Sequence, residues 1–155
     1  MIAPTIPYGA TNTIYGCPGT ITIGTDGLIM LLTKVCDCLY RYGFCKFIIL
    51  NGHGGNCKAI EQVGMELHKK GAWLACLNWW LMAGELRPEW KGGHGGAEET
   101  AGIMGVDPSL VDMDYIHEPH LATEEWGKEM LQTMADYIAD FIEEYEKIDL
   151  PHPAE

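Results

Sequence analysis

Apolar positions in this chain occur in two kinds of run, continuous and helically spaced. "CKFIIL" (45–50) and "AWLACLN" (72–78) are continuous, the first leading into the glycine-rich "NGHGGN" and the second following "KKG". That is the pattern of strands buried on both faces of a parallel sheet. "TDGLIMLLTKVCDCLYRYG" (25–43) has the length and apolar density of a helix packed on a sheet, with Thr25 or Asp26 placed to cap it and Gly43 to end it. "CKAIEQVGMELHKKG" (57–71) is amphipathic through Ile60, Val63 and Leu67 and again closes on a glycine. The β-loop-α-β order predicts a parallel α/β sheet with right-handed crossovers. "MIAPTIPYG" reads as a strand end entering a loop, and "TITIG" alternates like a short strand. After Asn78 the pattern loosens into a stretch rich in glycine and tryptophan. "AEETAGIMG" predicts a short helix, "DPSLVDMDY" a turn plus an extended piece, and Thr123 to Lys147 a long amphipathic helix carrying Trp126, Met130, Met134, Ile138, Phe141 and Ile142. With no repeat, linker or low-complexity segment, residues 1–155 read as a single domain.

Composition narrows the function classes. Hydrophobic residues make up 47% and charged residues 21% of 155, as in ordinary globular chains. A formal net charge of -12 argues against nucleic acid and against an anionic membrane surface, since both are bound by basic faces. The acidity is concentrated in the last third, in runs such as "TEEWGKEM", as a solvated helix face would have it. The six cysteines, Cys17, Cys36, Cys38, Cys45, Cys57 and Cys76, form no CxxC pair or zinc-knuckle spacing. Without a secretory signal or an apolar run of about 18–20 residues, reduced thiols in a cytoplasmic protein are expected.

Chemistry is concentrated in two motifs. "NGHGGN" (51–56) sits where a parallel strand ends, the place where such sheets bind ligands. Gly52, Gly54 and Gly55 allow close backbone approach, and His53 is suited to ligate a metal or move a proton. Asn56 is placed to cap the following helix. A histidine bonded to its own loop, or a phosphate cradle at the helix N-terminus, are the competing readings, the latter without the lysine of a P-loop. "GGHGGAEET" (92–100) repeats the design, and a loop-to-helix turn would bring His94 and Glu99 into one site. With His53 they make an N/O donor set suited to Zn²⁺ or Mn²⁺. Trp79, Trp80 and Trp90 either wall a pocket or pack in a core. His117 and His120 in "HEPH" read as an exposed loop, because Pro119 opposes a helix. His68 complements a helix C-terminus, and Asp26 reads as a cap in preference to a ligand.

Together the motifs resemble those of the creatininase (creatinine amidohydrolase) family. Its N-G-H-x-x-N loop is matched by "NGHGGN", and its H-A-G-x-x-E-T motif by "HGGAEET" at 94–100, with Gly95 in place of alanine. "PTIPYGATNTIYGCPGTITI" is similar to the family's P-Y-G…P-G-T-I stretch through Tyr8, Gly9, Pro18, Gly19 and Thr20, and "DPSLVDMD" to its D-P-x-L-V-D run. The resemblance implies a layered α/β sandwich with a mainly parallel central sheet, commonly assembled as a hexamer. It implies a metal-dependent hydrolase of C–N bonds in small cyclic or linear amides, using one or two Zn, Mn or Fe ions. His53 and Glu99 would be metal ligands, and His94 and Glu99 would act at the reacting centre. Tyr8, Gly54, Trp79, Trp80 and Gly93 would line the substrate. Family members begin with a strand, helix and E-x-H-G-x-H-L-P-x-x-T-D loop that this sequence does not carry, and "IGTDG" at 23–27 is not its equivalent. The expectation is therefore a piece of a longer enzyme, a homo-oligomer or a partner chain supplying the remaining ligands, or else a non-catalytic binding or structural subunit of the same fold.

Overall fold

The computed structural model describes residues 1–116, 121–149 and 151. The contacts gather into two compact units, Met1–Asn78 and Trp79–Ile148.

In the first unit the order is α1 (Gly24–Arg41), β1 (Lys46–Asn51), α2 (Cys57–Lys69) and β2 (Trp73–Asn78). The strands pair in parallel, from Lys46 opposite Trp73 to Asn51 opposite Asn78. The predicted α/β crossover is therefore present. Only one face of β1 is packed, however. Phe47 and Ile49 join a core with Leu28 and Leu32 of α1 and Ile60, Val63 and Leu67 of α2, while Leu50 on the opposite face is 55% exposed. The continuous apolar run thus overstates burial, because the described sheet has two strands. Ile60, Val63 and Leu67 contribute about 1.5–3 kcal/mol each by their burial.

Both helices end as their glycines require. Gly43 (φ 91) and Gly71 (φ 79) take the left-handed position after the C-caps Tyr42 and Lys70. The start of α1 differs from expectation. Thr25 and Asp26 lie inside its first turn, the cap residue is Ile23, and no side chain caps it. Instead Thr22 Oγ1 accepts from Gly24 N at 3.1 Å and from Thr11 N at 3.0 Å. The alternation of "TITIG" is realised as one parallel bridge, Gly9 to Thr22.

The second unit holds α3 (Trp79–Leu86), α4 (Ala97–Val106) and α5 (Glu124–Lys147). The "DPSLVDMDY" segment forms two short 3-10 turns, Pro108–Leu110 and Met113–Tyr115, in place of an extended piece. Their leading residues Asp107 and Asp112 accept from the backbone N–H two residues on, which favours turns over strand. The Ser109 hydroxyl and N–H also hold the Asp107 carboxyl below the usual carboxylate range. Thr123 caps α5 by accepting from Trp126 N at 3.1 Å, a bond worth about 1 kcal/mol. Helices α4 and α5 cross with almost no space between them. A Cβ on Gly127 would fall 1.7 Å from the Ala101 carbonyl oxygen, and one on Gly105 would fall 2.5 Å from the Gly127 carbonyl carbon.

Among the described residues no helix is long and apolar enough to cross a membrane. The "HEPH" histidines lie outside the described residues.

Candidate functional site

The parallel register explains the geometry of "NGHGGN". Asn51 and Asn78 are partners on the last rung of the β1–β2 ladder, and beyond it their side chains continue the hydrogen bonding. Asn51 is 2% exposed, and its Nδ2 donates to Asn78 Oδ1 at 2.8 Å. Its Oδ1 accepts from His53 N at 3.2 Å and from Asn56 Nδ2 at 3.1 Å. Asn56 Oδ1 in turn accepts from Ala10 N at 2.8 Å. Asn56 is itself helical in backbone and makes no side-chain cap. The expected cap is thus replaced by a clip that ties the N-terminal loop to the strand exits.

Two glycines are required for that docking. A Cβ on Gly9 would lie 2.6 Å from Asn56 Oδ1. A Cβ on Gly55 would lie 2.1 Å from the Ala10 carbonyl oxygen and 2.9 Å from His53 Nε2. The imidazole of His53 therefore lies against Gly55, and its Nε2 is buried. Gly55→Ala is expected to cost about 1–3 kcal/mol, read from urea unfolding. Gly52→Ala, where a Cβ meets nothing within 4 Å, is expected to cost far less.

Three further residues of this unit belong to the region. Tyr8 precedes the docked Gly9 and is 49% exposed. Cys57 and Cys76 each donate a thiol to Asn78 Oδ1, both at 3.6 Å. Neither cysteine stands out in the sequence, because one opens α2 and the other lies in β2, and spacing does not show that both reach Asn78.

The second motif has its own geometry in the second unit. It follows the short turn Pro88–Trp90, and so it does not leave a strand as its parallel with the first motif suggested. Gly93 O accepts from Gly96 N at 2.8 Å, closing a turn that carries exposed His94. Gly95 takes φ 67 and donates its N–H to Glu99 Oε2 at 2.7 Å. The Glu99 carboxylate is thereby fixed to the residue next to His94. Its neighbour Glu98, which the sequence did not mark, is 5% exposed. Gly92 and Gly96 make room for it, since a Cβ on either would meet its carboxylate within 2.4 Å. Two adjacent glutamates, one buried and one half-buried, cannot be ranked from sequence alone.

The tryptophans divide. Trp90 is 1% exposed and packs with Met82, Met130 and Met134, so it is a core residue, and Arg87 lies 4.6 Å above its ring. Trp79 is half-buried at the edge of the same cluster, and Trp80 is half-buried on α3.

The family model described as creatinine amidohydrolase, Creatininase, matches residues 1–120. The chain belongs to the creatininase family. Among curated proteins it is similar to mycofactocin precursor peptide peptidases. It is 29% identical to that of Mycolicibacterium smegmatis over 74% of this chain and 43% of the relative. For that of Mycobacterium ulcerans the identity is 30% over 74% and 42%, and for that of Mycobacterium tuberculosis 31% over 72% and 41%. The chain thus spans about two fifths of the length of the curated relatives it matches.

A divalent metal is the group this family implies, and the donor sets can be tested against it. The first unit offers the His53 imidazole, its Nε2 buried and close to Gly55. The second offers Glu99 beside His94. Among the described residues no group of three or more His, Cys, Asp or Glu side chains gathers to hold an ion. A closed or well-oriented divalent site takes three or four protein ligands. As arranged here, the residues do not fit a complete metal centre.

Proposed function

We propose that this chain carries part of the active centre of a creatininase-type hydrolase that cleaves a C–N bond in a peptide or a small cyclic amide. The observation that carries the reading is the family match over residues 1–120, which contains both histidine-glycine motifs. The relatives named as peptidases support an amide substrate. His53 and Glu99 are each candidate ligands of a Zn, Mn or Fe ion, with the remaining ligands coming from outside this sequence. His94, exposed on its turn, is suited to carry a proton to or from the reacting amide. Glu99, tied to the Gly95 N–H, holds that turn against the helix start. Tyr8, Gly54, Gly93, Trp79 and Trp80 are the candidate substrate contacts. The protein is expected in the cytoplasm, with no nucleic-acid partner.

A second reading, a non-catalytic subunit of the same fold, is favoured by the lack of a three-ligand cluster among the described residues. Hydrolysis of amide and peptide substrates, assayed on protein purified under native conditions with its partners attached, separates the two. The enzyme reading predicts turnover that 1,10-phenanthroline abolishes and Zn²⁺ or Mn²⁺ restores. Turnover unaffected by chelation contradicts the metal, and no turnover with metal in excess supports the non-catalytic subunit.

A further inference from the structure

Beside the asparagine chain lies a groove of about 490 Å³ along α2 and β2. His68 and Trp73 stand at one end, their rings 4.5 Å apart edge to face. At the other are Cys57, Cys76 and Asn78. Both cysteines are free and half-buried, so small solutes reach them. Their sulfurs each lie 3.6 Å from the one Asn78 oxygen, which places them within twice that distance of each other. Asn51 Nδ2 also approaches the Cys57 sulfur, at 3.5 Å. Two thiols that share one acceptor, at the mouth of an open groove, form a dithiol.

We propose that Cys57 and Cys76 are a peroxide-reactive dithiol site, in which disulfide closure strips two donors from Asn78 and slackens the asparagine chain beneath His53. The proposal stands on the geometry of the first unit and is independent of the hydrolase reading. The first attack is assigned to Cys57, whose sulfur has the Asn51 Nδ2 donor beside it, while burial, and after it the charge of Cys57, raise the Cys76 thiol above its ordinary pKa. Its thiolate takes one oxygen from a hydroperoxide, forming a sulfenic acid, and the alcohol leaves after protonation. The Cys76 sulfur then attacks the Cys57 sulfur. The S–S bond forms, and hydroxide departs with the Cys76 proton as water. Two thiols lose two electrons and two protons, and the hydroperoxide becomes one alcohol and one water.

The structural consequence follows from donor counting. A thiol is a weak donor, whereas a disulfide has no S–H to donate. Closure also draws the sulfurs to about 2.05 Å, so at least one must move relative to Asn78. Asn78 then keeps only the Asn51 Nδ2 bond of the three described here. Asn51 is the residue that accepts the His53 N–H, so the thiol state is coupled to the His53 loop.

The test treats the purified protein with tert-butyl hydroperoxide, alkylates the remaining thiols, and maps the digest by mass. The expected product joins the Cys57 and Cys76 peptides with the loss of two hydrogens and is reversed by dithiothreitol. Cys57→Ser and Cys76→Ser each abolish it. Amide hydrogen exchange at His53 is expected to become several-fold faster on oxidation and to recover on reduction. Peptides that stay separate, each alkylated or singly over-oxidised, overturn the site. A disulfide that leaves His53 exchange unchanged overturns the coupling. Both readings come from the unmutated protein, so neither depends on a variant's folding.

Discussion

Gly127→Val is expected to lower the thermal midpoint of the Trp79–Ile148 unit by about 10 °C or more, the shift that corresponds to ~2–3 kcal/mol in a domain of this size. The reason is geometric. Any Cβ at this position would stand 1.7 Å from the Ala101 carbonyl oxygen and 2.6 Å from its carbon. Both are backbone atoms of α4, so the helix axes must separate. Overpacking ordinarily costs about 1–3 kcal/mol, and moving a helix against rigid backbone falls at or above the top of that range. Separation would also open the small core of Ala97, Ala101 and Ala122 that lies at this crossing. Gly102→Ala is the control. Its Cβ would meet only the Met130 methyl, at 3.4 Å, and the gain in helix propensity offsets that contact. Thermal melts followed by circular dichroism check both. A Gly127→Val protein that melts like the parent contradicts the close crossing.

Asn51→Leu is expected to be the most damaging single change in the first unit, at about 3 kcal/mol or more. The side chain is similar in size, so the cost is polar in origin. Its removal takes a donor from Asn78 Oδ1 and an acceptor from both His53 N and Asn56 Nδ2. Each buried group left without its partner costs about 1–3 kcal/mol. The damage spreads, since Asn56 also clips Ala10. Urea unfolding gives the loss, and hydrogen exchange at Ala10 and His53 shows where the loop has opened. A loss under about 1 kcal/mol would mean that the asparagine chain is incidental to the loop's stability.

What the sequence made legible was local and periodic. The helices α1, α2 and α5 and the two strands follow from apolar spacing and glycine stops, since 3.6-residue and continuous patterns are written along the chain itself. Helix α3 is not legible because "WWLMAGEL" is almost wholly apolar, and its single Glu85 sets no polar face. It packs through Met82 and Ala83 with Trp90, Met130 and Met134. Trp90 was ambiguous for the same reason, as a core tryptophan and a pocket wall have one spelling. The asparagine chain was illegible because it depends on register. Asn51 and Asn78 are 27 residues apart, and nothing in either stretch says that they share a rung. The glycines of both motifs stand out in the sequence, but what they accommodate does not. Gly55 makes room for Ala10 and His53, and Gly92 and Gly96 for Glu98.

The motif identities, by contrast, were recognisable as a set, and the family match over residues 1–120 agrees with them. The sequence pattern could name His53, His94 and Glu99, but it could not say how each is held. His53 is held by Asn51 and packed on Gly55, and Glu99 is held by Gly95. These contacts hold the loop and the turn that carry the two side chains, and among the described residues they complete no three-ligand donor set.

The metal content of the natively assembled protein tests the central claim most directly. The protein would be captured by a tag on this chain, so that further copies or partner chains are retained, and the bound Zn, Mn and Fe counted per chain. The account predicts bound metal in the parent, loss of most of it in His53→Ala and in Glu99→Gln, and loss of amide hydrolysis in step with the metal. Metal content and hydrolysis that are unchanged in both variants would contradict it.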